Sequence, residues 1–103
     1  MKKVIDRVIY DTEKAEKIAE YESNHNRGDF HFFEETLYRT QKGNWFLHGE
    51  GGPASPYCET FGNSTSGSED LIPMDEDEVI EWCERRQLIT VLMERFPEAL
   101  EEA

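Results

Sequence analysis

Residues 37–53, with the sequence LYRTQKGNWFLHGEGGP, decide the fold. Strand-forming residues lie on both sides of residues 41–43 (QKG). A three-residue connection that ends in glycine suits a type I turn with a bulge, because glycine tolerates a positive φ. Apolar side chains then fall on both faces, which predicts a hairpin in the interior of an antiparallel sheet. Three cross-strand pairs follow from this connection: Leu37 with Leu47, Tyr38 with Phe46, and Arg39 with Trp45.

The segment before this hairpin predicts two further strands. Residues 3–10 (KVIDRVIY) alternate loosely between polar and apolar types and predict a first strand. Asp11 and Thr12 signal a turn, and a short helical turn is expected over residues 13–17. Residues 18–22 (IAEYE) predict a second strand, with a continuation of the helical turn as the alternative.

The segment after the hairpin has a different composition. Residues 51–70 (GGPASPYCETFGNSTSGSED) are rich in Gly, Ser, Pro and Asn, which predicts a long surface loop. Only Tyr57 and Phe61 offer apolar anchors in this stretch. A short closing strand is expected at residues 71–72, before Pro73.

A C-terminal helix is predicted to begin after Asp75. With Asp75 as N-cap, Glu78 occupies the third helical position and completes a capping box. Met74 precedes the cap and faces Val79 as a hydrophobic staple. The local sequence therefore fixes where this helix begins.

The same helix is predicted to end near Arg95, because Pro97 disfavours helical geometry at the residue before it. Residues 97–103 are expected to form a loose tail, with a frayed continuation of the helix over residues 98–103 as the alternative. The apolar side chains recur at helical spacing, which predicts one stripe facing the sheet. The stripe consists of Val79, Trp82, Cys83, Ile89, Leu92, Met93 and Phe96.

Length and composition predict one small domain over residues 1–103. Aromatic residues make up 12% of the chain and can build a core, but the 33% of charged residues and the mean hydropathy of −0.77 make that core thin. No apolar run is long enough to span a bilayer, and MKKVID lacks the apolar region of a signal peptide, which predicts a cytoplasmic protein. Cys58 and Cys83 are expected to be reduced thiols in that compartment.

The net charge of −12 is distributed unevenly. Residues 1–42 hold nine acids and eight bases, whereas residues 43–84 hold ten acids and neither Lys nor Arg. Direct binding to nucleic acid or to an anionic membrane requires a basic surface, so both are disfavoured. Attraction to basic proteins, or simply high solubility, is what this charge predicts.

The sequence offers no convincing metal or cofactor motif. His48-x-Glu50 with Cys58 and Cys83 superficially resembles the zinc deaminase pattern, but that pattern requires a Cys-x-x-Cys pair that this chain lacks. The glycines of residues 49–52 do not form a phosphate loop, because no Lys-Ser/Thr follows and an acid lies among them. They predict a tight chain reversal instead.

One cluster could support acid–base chemistry. The predicted register places Glu34 opposite Glu50 and brings Glu35 and His48 to the same end of the hairpin. Such groups more often form a hydrogen-bonded strand end. We therefore expect no catalytic residues, and an enzyme that uses Glu34, Glu50 and His48 is the weaker alternative.

The acidic segment 69–84 is the stronger candidate, with eight acids among sixteen residues. On the predicted helix, Asp77, Glu81 and Glu84 share one face. Like charges at this spacing destabilise a helix by about 0.2–0.5 kcal/mol per pair, and that cost is compatible with a role in presenting negative charge. A solvated face that only keeps the protein soluble is the alternative.

Three segments, VIYDTEKAEKIAEY, EETLYRTQKGNWFLHGEGGP and LIPMDEDEVIEW, carry a family resemblance. The chain resembles a family of small acidic proteins, mostly uncharacterised, of bacterial, phage and mobile-element origin. The resemblance covers about residues 1–86, and the tail after Arg86 departs from the pattern. It implies an α+β protein without assigned catalytic residues, and it suggests a loose link to inhibitors of the anti-CRISPR type.

The sequence thus predicts a single α+β domain: an antiparallel sheet of three to five strands with a C-terminal helix packed on it. We expect a non-catalytic protein that binds a basic protein surface, above all the groove of a nucleic-acid-binding protein, through segment 69–84 and a loop at 49–53. The runner-up is a small structural or regulatory protein with an aromatic interface around Tyr57 and Phe61. The predicted contact residues are Glu50, Asp70, Asp75, Glu76, Asp77, Glu81 and Glu84.

Overall fold

A computed structural model describes residues 1–103 and confirms the α+β class. A five-stranded antiparallel sheet has the strand order β3-β4-β5-β7-β6, and β1 and β2 form a separate two-stranded hairpin. Two helices and a 3₁₀ turn follow the strands. The elements are β1 (Lys2–Ile5), β2 (Val8–Asp11), β3 (Glu16–Glu22), β4 (Phe33–Arg39), β5 (Trp45–Gly51), β6 (Cys58–Phe61), β7 (Ser64–Met74), α1 (Glu76–Arg85), α2 (Ile89–Arg95) and the turn Pro97–Ala99.

The central hairpin has the predicted register. Strands β4 and β5 pair Leu37 with Leu47, and the neighbouring pairs follow as expected. Gly43 closes the connection with a φ of +88°, the left-handed geometry that favours glycine. Because β3 and β7 flank the hairpin, it lies in the interior of the sheet, as its apolar residues on both faces indicate.

The N-terminal predictions were partly wrong. The segment predicted as one strand is a hairpin, in which Asp6 and Arg7 form a two-residue turn with φ values of 51° and 66°. Two positive φ values are characteristic of a type I′ turn, for which Asn-Gly is the usual sequence signal. The expected helical turn at 13–17 is absent, and β3 begins at Glu16. The strand at residues 18–22 is confirmed.

The long loop predicted at residues 51–70 is also wrong. Most of it is a second hairpin, β6–β7, whose two-residue turn has Gly62 at φ +59° followed by Asn63. Strand β7 runs for 11 residues and includes Pro73. Strand β6 pairs only with residues 64–67 of β7, so one edge of β7 is unpaired at Pro73. On an unpaired edge, the N–H that proline lacks is not needed for a hydrogen bond between strands.

The predicted capping box is confirmed, but the single helix is not. The Asp75 carboxylate accepts from the Glu78 amide, and the Glu78 carboxylate accepts from the Asp75 amide. Helix α1 ends after Arg85 because Gln87 adopts a left-handed φ of 53°. The Leu88 amide then donates to the Cys83 carbonyl, which completes a Schellman motif with glutamine in place of glycine.

The break between the helices changes the predicted apolar stripe. Val79, Trp82, Cys83, Leu92 and Phe96 are buried in the core, as expected. Ile89 and Met93 are 58% and 62% exposed, because α2 starts on a new axis after Gln87. Residues 97–99 of the predicted loose tail form a 3₁₀ turn. None of the helices is long and apolar enough to cross a membrane.

The two faces of the five-stranded sheet are covered differently. The helices pack on the face that carries Leu37, Trp45 and Leu47. On the opposite face, the fully buried Phe46 meets Tyr10 of β2 edge-to-face at 5.5 Å, so the β1–β2 hairpin covers this part of the sheet. The remaining part of that face carries partly exposed polar side chains.

Candidate acidic surfaces

The outer face of α1 carries six exposed acids. They are Asp75 at the cap and Glu76, Asp77, Glu78, Glu81 and Glu84 within the helix. None of the ion pairs in the structure involves any of them. Asp75 and Glu78 use their carboxylates to cap the helix, so the acids free to meet a partner are the other four.

The structure separates the remaining predicted contact residues from this helix. Asp70 forms an ion pair with Lys3, so its charge is compensated within the chain. Glu50 lies on β5 and points to the sheet face opposite the helices. The expected loop at 49–53 begins within β5, which extends to Gly51. The predicted site is therefore two surfaces, one on α1 and one on the sheet.

The sheet surface is a row of four glutamates in register. Glu22 pairs with Glu34, Glu34 with Glu50, and Glu50 with Glu69, so that β3, β4, β5 and β7 each contribute one residue. We call these four residues the glutamate row. Like charges directly opposite one another destabilise a sheet, so this row has an energetic cost. The sequence predicts the pair Glu34–Glu50 but not the row, because it does not reveal how β3 and β7 pair.

Few positive groups compensate the glutamate row. Arg27 pairs with Glu22 and lies 3.7 Å from Glu34. His48 Nε2 lies 2.8 Å from the Glu69 carboxylate. The adjacent Glu50 carboxylate, together with partial burial, raises the pKa of Glu34 above its usual range. Glu34 therefore holds a proton more readily than an isolated glutamate does.

A shallow cavity of about 230 Å³ lies beside the glutamate row. Its lining includes Glu34, Glu50 and Arg27 but not His48, so the three residues of the enzyme alternative do not line one pocket. Sites for small-molecule substrates are typically about 300–1,000 Å³. A larger cavity of about 370 Å³ lies between Lys3 and the start of β6; Glu69 lines it, but Glu34, His48 and Glu50 do not.

The aromatic interface expected around Tyr57 and Phe61 is wrong for Tyr57, which is buried. Phe61 is 70% exposed at the end of β6, but Tyr57 is only 9% exposed. The Tyr57 hydroxyl donates to the buried Glu35 carboxylate at 2.5 Å. Burial, and then this carboxylate, raise the pKa of Tyr57 well above its usual value.

Glu35 is the polar centre of the core and was missed as such. Its carboxylate accepts hydrogen bonds from Tyr57, from Trp82 Nε1 at 3.0 Å and from Arg86 at 3.0 Å. The Arg86 guanidinium in turn lies 4.0 Å from the centre of the Tyr21 ring. This network joins β4, α1 and the segment before β6. The sequence gives no signal of it beyond an acid that lies between Phe33 and Leu37 on one strand face.

The glycines after His48 allow other segments to pack closely against the backbone, and they do not form a phosphate loop. A Cβ at Gly49 would lie 1.9 Å from Tyr57 Cζ, and one at Gly52 would lie 2.6 Å from the Phe30 carbonyl oxygen. Neither residue has a positive φ. The predicted chain reversal at residues 49–52 is therefore replaced by a strand end against which other segments pack.

No protein-family model, no curated protein and no solved structure matches this chain. The family resemblance stays a prediction, and the two acidic surfaces are the candidate sites that the geometry offers.

Proposed function

We propose that this protein is a non-catalytic binding protein that presents the outer face of α1 to a basic protein surface. The observation that carries the proposal is the lack of internal ion pairs at the α1 acids. Glu16, Glu35 and Asp70 have basic partners. Exposed acids such as Glu59 and Glu98 also lack one, so α1 is distinguished by grouping its unpaired acids on one packed helix. The charge on α1 is thus available for an external partner.

The capping box supports this role by holding the helix in place. Asp75 and Glu78 fix the first turn, and Val79, Trp82 and Cys83 anchor the inner face in the core. The acids therefore project from a rigid element, which reduces the entropy lost on binding. Their repulsion within the helix is a cost that a basic partner would relieve.

The partner class follows from the density of like charge. Asp77, Glu81 and Glu84 lie within about 10.5 Å along the helix axis, from a rise of about 1.5 Å per residue. A nucleic-acid strand also presents a close series of negative charges, about one per 3.4 Å of duplex axis. A groove that binds phosphates carries clustered cations that would attract the α1 acids, and a nucleic-acid-binding protein is the proposed target.

Affinity capture with matched variants tests the proposal. The immobilised protein is compared with the triple variant Asp77→Lys, Glu81→Lys and Glu84→Lys in a bacterial lysate. The control variant, Glu98→Lys, Glu101→Lys and Glu102→Lys, changes the net charge equally at exposed tail residues that form no ion pairs.

We expect the wild type and the tail variant to retain a basic protein that the helix variant does not retain. Moderate salt should release this protein, because screening weakens exposed charge pairs. Added nucleic acid should compete for it. A partner that the helix variant retains, or that resists salt, contradicts the proposal and points to an apolar surface such as that around Phe61.

A further inference from the structure

His48, Glu50 and Glu69 bring three metal-ligating groups together on the sheet. His48 and Glu50 lie two residues apart on β5 and so face the same side, while Glu69 on β7 is the direct partner of Glu50. The ligand atoms of the three side chains all lie within 4.8 Å of one another, and His48 Nε2 is 2.8 Å from a Glu69 oxygen. We propose that this triad binds a divalent transition-metal ion of the Zn²⁺ type.

The donor set fits such an ion. Imidazole nitrogen and carboxylate oxygen are both zinc ligands, at about 2.0–2.2 Å. Ligands at that distance in a tetrahedral site are about 3.4 Å from each other. His48 Nε2 and the Glu69 oxygen are 2.8 Å apart and no separation exceeds 4.8 Å, so small rotations of the carboxylates would bring all three groups onto one ion. A fourth position remains open to water.

Histidine distinguishes this triad from an ordinary acidic surface. The His48 side chain is only 18% exposed, so packing on the sheet fixes its ring, and Nε2 is directed towards the glutamate row. A neutral nitrogen donor adds no further negative charge, and imidazole favours zinc and similar ions over Mg²⁺ and Ca²⁺. The ligands stand on paired strands, which hold them more rigidly than a loop would.

The charge balance supports a cation at this position. No Lys or Arg lies within 4.0 Å of Glu50 or Glu69, since Arg27 reaches only the other two members of the glutamate row. A divalent ion would offset the repulsion of the paired carboxylates. It would also tie β5 to β7 beside the cavity that Met1 and Lys3 line together with Glu69. This site is on the opposite face from α1, so it is independent of the proposed function.

Zinc titration of the chelator-treated protein tests the site. Isothermal calorimetry with ZnCl₂ should show saturable binding of one ion per chain. His48→Gln and Glu69→Gln should each weaken the affinity about ten-fold or more, since each removes one ligand. The control is His25→Gln, which removes an exposed histidine that stacks on His31 and provides the other place where zinc could bind.

Binding that is unchanged in His48→Gln and Glu69→Gln, that is lost in His25→Gln, or that does not saturate overturns the proposal. A second measurement uses only the wild type, in case the variants fold poorly. Diethylpyrocarbonate modifies free imidazoles, and Zn²⁺ should protect His48 while leaving His25 and His31 reactive. Equal protection of all three histidines, or none at His48, also overturns it.

Discussion

The ring of Tyr57 lies directly against the backbone of Gly49, where a Cβ would come within 1.9 Å of the ring. Gly49 is paired on both sides, with Glu35 on β4 and with Asp70 on β7, so its backbone cannot move away. Gly49→Ala should therefore lower the free energy of unfolding by about 1–3 kcal/mol or more, by displacing Tyr57. Urea denaturation measures this, with Gly28→Ala as control, because a Cβ at Gly28 meets nothing within 4 Å. Equal stability of the two variants would show that Tyr57 does not occupy this position.

The buried carboxylate of Glu35 makes a second prediction. Glu35→Ala leaves Arg86, Trp82 and Tyr57 without their shared acceptor, and breaking a buried ion pair costs about 3–5 kcal/mol. We expect a loss near the lower end of that range, because Arg86 is 21% exposed and regains some water. Thermal unfolding compares Glu35→Ala with the control Glu59→Ala, which changes an exposed glutamate. Similar melting temperatures of these two variants would contradict the network.

The contact between Glu34 and Glu50 makes the stability depend on pH. The pKa of Glu34 is raised in the folded protein, so the folded chain takes up this proton before the unfolded chain does as the pH falls. The contribution of Glu34 to the free energy of unfolding therefore increases as the pH falls from neutral towards the ordinary glutamate pKa of 4.5. The same contribution is lost as the pH rises through the raised pKa of the folded protein.

Glu34→Gln should remove this part of the pH dependence and raise the melting temperature most at neutral pH. The measurement compares melting curves between pH 7 and pH 4.5 in the presence of a chelator. Glu59→Gln serves as control, since no ion pair involves this exposed residue of β6. Parallel profiles for wild type and Glu34→Gln would rule out proton sharing with Glu50.

The two cysteines should differ in reactivity. Cys58 is exposed, whereas Cys83 is fully buried and its burial raises the pKa of its thiol. At pH 8, an Ellman titration should detect one fast thiol in the native protein and the second only after unfolding. Cys58→Ser should abolish the fast phase. A fast phase that persists in Cys58→Ser would place Cys83 at the surface and contradict the described core.

Local signals made part of the fold predictable from the sequence. Gly43 fixed the register of the central hairpin, and Asp75 with Glu78 fixed the start of α1. Both features depend on hydrogen bonds and backbone angles within a few residues of each other. The burial of Cys83 and Phe96 followed from helical spacing.

The wrong predictions fall where the usual turn residues are absent or where composition outweighs them. Asp6-Arg7 and Gln87 adopt left-handed angles without glycine, so the sequence does not signal the first hairpin or the helix break. Gly62-Asn63 is a recognised hairpin signal, but the polar composition of residues 51–70 favoured a loop. The glutamate row depends on the pairing of four strands, and no local pattern reveals such long-range pairing.

Nuclear magnetic resonance can show residue by residue whether the outer face of α1 is the binding surface. The ¹⁵N-labelled protein is titrated with the basic protein recovered by affinity capture, and amide shifts are followed residue by residue. We expect the largest changes within residues 76–85, and we expect them to diminish with salt. Changes concentrated on the β1–β2 hairpin or around Phe61, with α1 unaffected, would contradict it.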